Sequence, residues 1–143
     1  MPIPKLGKAS IGLDMHYSVG AIIKRDGKYL MIDRACPPYG FACVAGHIDD
    51  GEDADTAVIR EVKEESGLEV ITKKLLKQTE ILWNTCSKGI TVHYWHVYEC
   101  DVRGRVKRNE QETNEIGWHT PEKIKELPLE PVWEYWLKEL KII

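Results

Sequence analysis

Glu61, Glu64 and Glu65 fall within the run Arg60-Glu61-Val62-Lys63-Glu64-Glu65, three and four residues apart. On a helix, side chains at that spacing share one side of about one turn. Three carboxylates so close repel one another unless a cation sits among them. Their oxygens suit Mg²⁺, with Mn²⁺ as a substitute, because such ions keep several waters and bind substrate phosphates. The spacing therefore points to a hard-metal site and to phosphate chemistry. Arg60 is within reach of Glu64, four residues on, and equally of Glu52 across the preceding loop.

The elements that must position these groups read clearly around them. Asp49, Asp50, Asp53 and Asp55 cluster before or within the first turn of the helix, where they complement its positive end, and Asp53 is the N-cap candidate. Val58, Ile59 and Val62 form the expected buried stripe, and Gly67 the expected C-cap. Gly46 and Gly51 supply backbone conformations closed to other residues. Upstream, Phe41 to Ile48 reads as one short apolar strand feeding the acidic loop. His16 to Lys24 and Lys28 to Arg34 read as a hairpin joined at Asp26-Gly27. Residues 1–15 lack periodicity and are expected to be a loose lead-in. Downstream, Glu69 to Thr85 holds one or two strands, Thr91 to Val102 a strongly β-prone one, and Glu115 to His119 a short one. Thr120-Pro121-Glu122 opens a helix, and Val132, Trp133, Trp136, Leu137 and Leu140 share a face of the last. This order predicts an α/β fold with a mixed sheet covered by helices on both faces.

At 143 residues the length suits a single domain over 1–143. A net charge of −3 argues against a nucleic-acid-coating surface, so an anionic substrate needs a metal bridge or local basic residues. Cys36, Cys43, Cys86 and Cys100 form no C-x-x-C pair. No apolar run marks a signal peptide or a membrane span, and a reduced, cytoplasmic protein is expected.

The residues from Gly46 to Leu68 also carry a resemblance. Gly46, Glu52, Arg60, Glu61, Val62, Glu64, Glu65, Gly67 and Leu68 match every position of the signature of Nudix hydrolases. From this composition, a chance match at one start point is roughly a few in 10⁹. The similarity runs from about Tyr17 to Leu127, and it implies an α/β/α sandwich around a central mixed sheet. It implies metal-dependent hydrolysis of a pyrophosphate bond in a nucleoside diphosphate linked to a moiety X, such as a nucleoside triphosphate, an oxidised nucleotide or a nucleotide sugar. By position, Glu64 and Glu65 become metal ligands, Glu61 a ligand or base, and the Ala45 carbonyl a further ligand. Arg60 and Glu52 orient them. A further glutamate, Glu112 or Glu115, with Glu110 as an outside candidate, serves as ligand or general base. Arg34 is either a phosphate contact or an exposed strand-end charge.

Other residues leave alternatives open. Tyr39, Phe41, Trp83 and Trp95 either stack on a base or belong to the core. His93 and His96 have opposite strand parity and face opposite sides, so they do not share a metal site. Arg103, Arg105, Lys107 and Arg108 contact phosphate or form a solvated loop. Val44 and Ala45 stand where the family commonly has proline and glycine, and the carboxylates are untouched. Pro37-Pro38-Tyr39-Gly40 resembles the lead of ADP-ribose pyrophosphatases, while Trp83 stands where those often have proline. A nucleotide-sensing module that binds without cleaving is the alternative of another class. The expected partner is a nucleotide-type small molecule, not a nucleic-acid polymer or a membrane, and a homodimer is left open.

Overall fold

The structure, a computed structural model, describes residues 2–143. Its elements are β1 (Leu6–Lys8), β2 (Asp14–Arg25), β3 (Lys28–Arg34), β4 (Gly40–Ala42), β5 (Val44–His47), α1 (Ala54–Ser66), β6 (Glu69–Ile81), β7 (Val92–Arg103), β8 (Thr113–His119), α2 (Pro121–Ile124) and α3 (Pro131–Glu139).

β2 is the strand on which the others are assembled. It runs parallel to β7 from Met15↔Val92 to Ile23↔Cys100, and β7 pairs antiparallel with β6. Along its other edge β2 takes three antiparallel partners in turn: β1 at Asp14 to His16, β5 at Ser18 to Ala21, and β3 at Lys24 and Arg25. The expected β2–β3 hairpin turns at Asp26 and Gly27, whose φ values of 53° and 76° suit a tight two-residue connection. It then opens at once, so that β3 pairs with β4 and β8 instead.

Alternation along β2 builds both halves of the core. Val19, Ala21 and Ile23 pack with Val58 and Val62 of α1. Ile22 faces the other way, with Trp95, Trp133, Trp136 and Leu137, beneath α3. The mixed sheet between helices is thus the predicted layering. Among the described residues, no helix is long and apolar enough to cross a membrane.

Several expectations are corrected. The strand expected over Phe41–Ile48 is two, because the chain changes partner at Cys43, from β3 (Ile32↔Ala42) to β2 (Ala21↔Val44). The lead-in is not loose: β1 pairs with β2, and the Lys5 and Asp50 amides donate to the Ile48 and Ile3 carbonyls at 2.8 and 2.7 Å. Ile59 is 43% exposed, and Ala57 takes its place in the stripe. At about 100° per residue, Ala57, Val58, Glu61, Val62 and Glu65 lie on one side of α1, and Ile59 lies off it.

The sheet and α3 fit closely at Gly20, where a Cβ would come 2.7 Å from Cη2 and Cζ2 of the buried Trp133 ring. Gly20→Ala is therefore expected to destabilise the chain by about 1–3 kcal/mol through overpacking. Denaturant unfolding checks this; an unchanged midpoint would mean that the Trp133 ring has room to move.

Candidate active site

The acidic loop and α1 are held by local chemistry. The Asp53 side chain accepts from the Thr56 amide at 2.8 Å, and Gly67 closes the helix at φ 76° while its amide donates to Lys63 O. Both caps are those expected from the sequence. Burial of Val58 and Val62 then fixes the rotation of the helix, which turns Glu61 and Glu65 inward and leaves Glu64 at the edge.

Arg60 ties this helix to the loop. Its Nε and Nη2 donate to the two carboxylate oxygens of Glu52 at 2.8 and 2.9 Å. Nη1 donates to Glu61 at 2.8 Å and to Glu64 at 3.2 Å, and Nη2 also reaches the His47 carbonyl at 3.0 Å. Asp49 lies 3.4 Å away. The hydrogen bond from Arg60 holds the Glu52 carboxyl below its usual range, although burial works against it. The guanidinium is in turn held more firmly protonated, mainly by Glu52.

One guanidinium cannot neutralise all of these groups. Burial pushes Glu61 up to about 7 despite Arg60, with Glu64 and Glu112 adding repulsion. Glu65 is raised well above the usual range, by burial first and then by the charges of Glu61 and Glu112. Such a set of under-compensated oxygen donors is what a hard divalent cation satisfies. Gly46 leaves the room that the Glu61 carboxylate fills, because a Cβ there would overlap it. The donors present fit Mg²⁺ or Mn²⁺.

These groups face a cleft of about 440 Å³. Of the residues singled out in the sequence, Arg34, Ala45, Arg60, Glu61, Glu64, Glu65 and Glu112 line it. Glu52 acts from behind, through Arg60. Glu112 and Glu115 are thereby separated: both are exposed, and only Glu112 faces the cleft. Arg34 is anchored by donating to the Pro38 carbonyl at 2.7 Å.

The aromatic candidates divide too. Trp95 lines the cleft, and its Nε1 donates to Asn84 Oδ1 at 2.9 Å. Phe41 is corrected to a core residue, packed among Ala42, Trp133 and its neighbours. Tyr39 is 65% exposed and lies outside the cleft lining, and Trp83 packs edge-on against Tyr135. The basic loop also stays outside: Arg103 pairs with Glu69, and Arg108 donates to the Thr113 carbonyl at 2.7 Å. His93 lines the cleft, whereas His96 lies with Tyr94 on the opposite side.

The sequence reading passed over Glu130, His47, Asn84, Cys86 and Lys88, all of which line the cleft. Only Glu130 had a local signal, its place just before Pro131 at the start of α3. Its carboxylate is buried 3.8 Å from Arg34 Nε. His47 and His93 are both held down at about 4, chiefly by burial, and are neutral at pH 7.

Glu130 supplies a test of this electrostatic picture. Burial raises it from 4.5 to about 7, against the attraction of Arg34. A carboxyl with a raised folded pKa binds its proton better when folded. Its contribution is therefore complete below the unfolded value and is lost as pH rises through the folded one. Glu130→Gln is expected to gain stability over the parent chain between about pH 4.5 and 7.5, by on the order of 1–3 kcal/mol. Unfolding midpoints across that range check it, and a pH-independent difference would contradict the assignment.

The sequence matches the family model described as NUDIX domain over residues 14–140. The chain is 32% identical over 107 residues to a MutT-like protein of Streptomyces ambofaciens, covering 75% of this chain and 64% of that one. It thus spans just under two thirds of that relative. It is 31% identical over 120 residues to a CTP pyrophosphohydrolase of Escherichia coli, covering 79% and 82%. Its fold is similar to the crystal structure of a MutT NUDIX hydrolase from Burkholderia pseudomallei, with a TM-score of 0.67, 25% identity and coverage of 76% and 84%.

Proposed function

Because the chain belongs to the Nudix family, we propose that it is a pyrophosphohydrolase that cleaves a nucleoside diphosphate linked to a moiety X, with a nucleoside triphosphate as the first candidate. The observation that carries this reading is the convergence of Glu61, Glu64 and Glu65 with Arg34 and Glu112 on one cleft. The name of the Escherichia coli relative supports the triphosphate choice. Residues 1–143 act in this reading as one domain, and four free cysteines suit a reducing compartment such as the cytoplasm.

Glu61, Glu64, Glu65 and the Ala45 carbonyl are the groups that would hold Mg²⁺ or Mn²⁺. That ion supplies charge neutralisation on the phosphates and a lowered pKa for a water. Arg60 and Glu52 keep the carboxylates in place. Arg34, its Nε fixed on the Pro38 carbonyl, holds a phosphate oxygen through its remaining N–H groups. Glu112 takes a proton from the attacking water as the new P–O bond forms and the bridging P–O bond breaks. The bridging oxygen leaves on the departing phosphate. Trp95 and Asn84, which line the same cleft, offer a base an aromatic ring and an amide.

Glu64→Gln, Glu65→Gln and Glu112→Gln are each expected to lower kcat on the order of 10²–10⁴-fold with the fold intact. Glu115→Gln should stay within about twofold of the parent, because it lies outside the cleft. Phosphate or pyrophosphate release checks this on nucleoside triphosphates, oxidised nucleotides, ADP-ribose and dinucleoside polyphosphates. Near-parental turnover in the first three variants would sink the site assignment. Thermal stabilisation by a nucleotide, without product in Mg²⁺ or Mn²⁺, would favour the sensing module instead.

A further inference from the structure

A second cluster of ligand-type side chains lies on the other face of β5 from Glu61. His16, His47, Cys86 and His93 each present one ligand atom, and these atoms all lie within 4.8 Å of one another. Strand register assembles three of the four. His16 and His93 are direct partners in the parallel β2–β7 pair. His47 stands opposite Ser18 in the β2–β5 pair, and Ser18 shares a face with His16 because strand side chains repeat every two residues. Cys86 arrives from the loop between β6 and β7. A turn holds it there, with its amide donating to Ile90 O and its carbonyl accepting from the Gly89 amide, both at 3.0 Å.

The spacings suit a small tetrahedral ion. Nε2 of His47 lies 3.3 Å from Nε2 of His93. Zinc–nitrogen bonds of about 2.0–2.1 Å at tetrahedral angles put two nitrogens about 3.3–3.4 Å apart. Cys86 Sγ lies 3.9 Å from His16 Nδ1. A sulfur–zinc–nitrogen edge is about 3.5–3.6 Å, so this edge closes by a few tenths of an ångström, while the widest pair, within 4.8 Å, closes by about 1 Å. A hydrogen bond between His47 and His93 accounts for the first distance. A second, between Cys86 and His16, accounts for the other; neither explains why the two pairs converge on one point.

We propose that His16, His47, Cys86 and His93 form a four-coordinate site for a borderline-soft transition-metal ion, Zn²⁺ first among them. With all four positions filled by protein, the ion is structural. It braces the β6–β7 loop against β2, β5 and β7, and so fixes Asn84, Thr85 and Lys88 in the wall of the cleft. The carboxylate cluster takes a hard ion and this one a soft ion, so the two do not compete.

The test uses the whole chain, stripped with a chelator and titrated with Co²⁺ in excess Mg²⁺. One equivalent is expected to bind with the intense visible bands of tetrahedral cobalt and a near-ultraviolet sulfur-to-cobalt charge-transfer band. One equivalent of Zn²⁺ should bleach both. Cys86→Ser should remove the charge-transfer band and weaken Zn²⁺ binding at least about 10-fold. His47→Asn should weaken binding likewise, and serves if the serine variant fails to fold. Glu64→Gln should leave the spectrum unchanged. A weak octahedral spectrum in the parent chain, an undiminished charge-transfer band in Cys86→Ser, or loss of the signature in Glu64→Gln would overturn the proposal.

Discussion

The burial of two carboxylates beside one committed guanidinium governs the functional end of this molecule. Arg60 gives Nε and Nη2 to the two oxygens of Glu52 and shares Nη1 between Glu61 and Glu64. Glu61 and Glu65 are therefore desolvated without full compensation, and folding must carry that cost. The surroundings explain how it is borne. Val58 and Val62 are wholly buried and hold the helix rotation, and Gly46 opposes Glu61 with no side chain of its own. The N-terminal segment, through Lys5 and Ile3, clamps the far side of the acidic loop. Each of these holds negative charge at a place where a cation is the natural counter-charge.

That arrangement rests on β2. Because this strand is shared between β7 on one edge and β1, β5 and β3 on the other, its two faces supply the two halves of the core. The same sharing forces the chain to change partner at Cys43. It then enters β5 in the register that carries Gly46 to α1 and Ala45 to the opposite face. A hairpin that stayed paired along its length would have occupied the edge of β2 that β5 needs.

What was legible in the sequence was what local chemistry dictates. Asp53, Gly67 and Thr120 cap as their residue types predict, and Asp26-Gly27 turns where two positive φ values are tolerated. The spacing of Arg60, Glu61, Glu64 and Glu65 marked the carboxylate cluster because a helix alone brings them together. Placements that depend on long-range register were not legible. Phe41 looks like a strand aromatic free to stack on a base, and only the pairing of β4 with β3 puts it in the core. Ile59 looks like core by composition, but Ala57, a weaker apolar signal, holds the inward angle. Glu112 and Glu115 are equivalent by spacing, and the path of the loop before β8 separates them. His16, His47 and His93 are scattered along the chain and meet only through the pairings of β2.

Strand alternation has a last consequence at Gly46 and His47, adjacent residues of β5 that serve opposite faces. Gly46 must remain small because Glu61 fills the space in front of it. The His47 ring turns away toward His16 and His93, with ring centroids at 4.8 and 5.4 Å. Yet the His47 carbonyl accepts from Arg60 at 3.0 Å, so its backbone is part of the carboxylate scaffold. The two clusters are thus different in chemistry, divided by the pleat of one strand, and they meet in a single residue whose ring belongs to one and whose carbonyl belongs to the other.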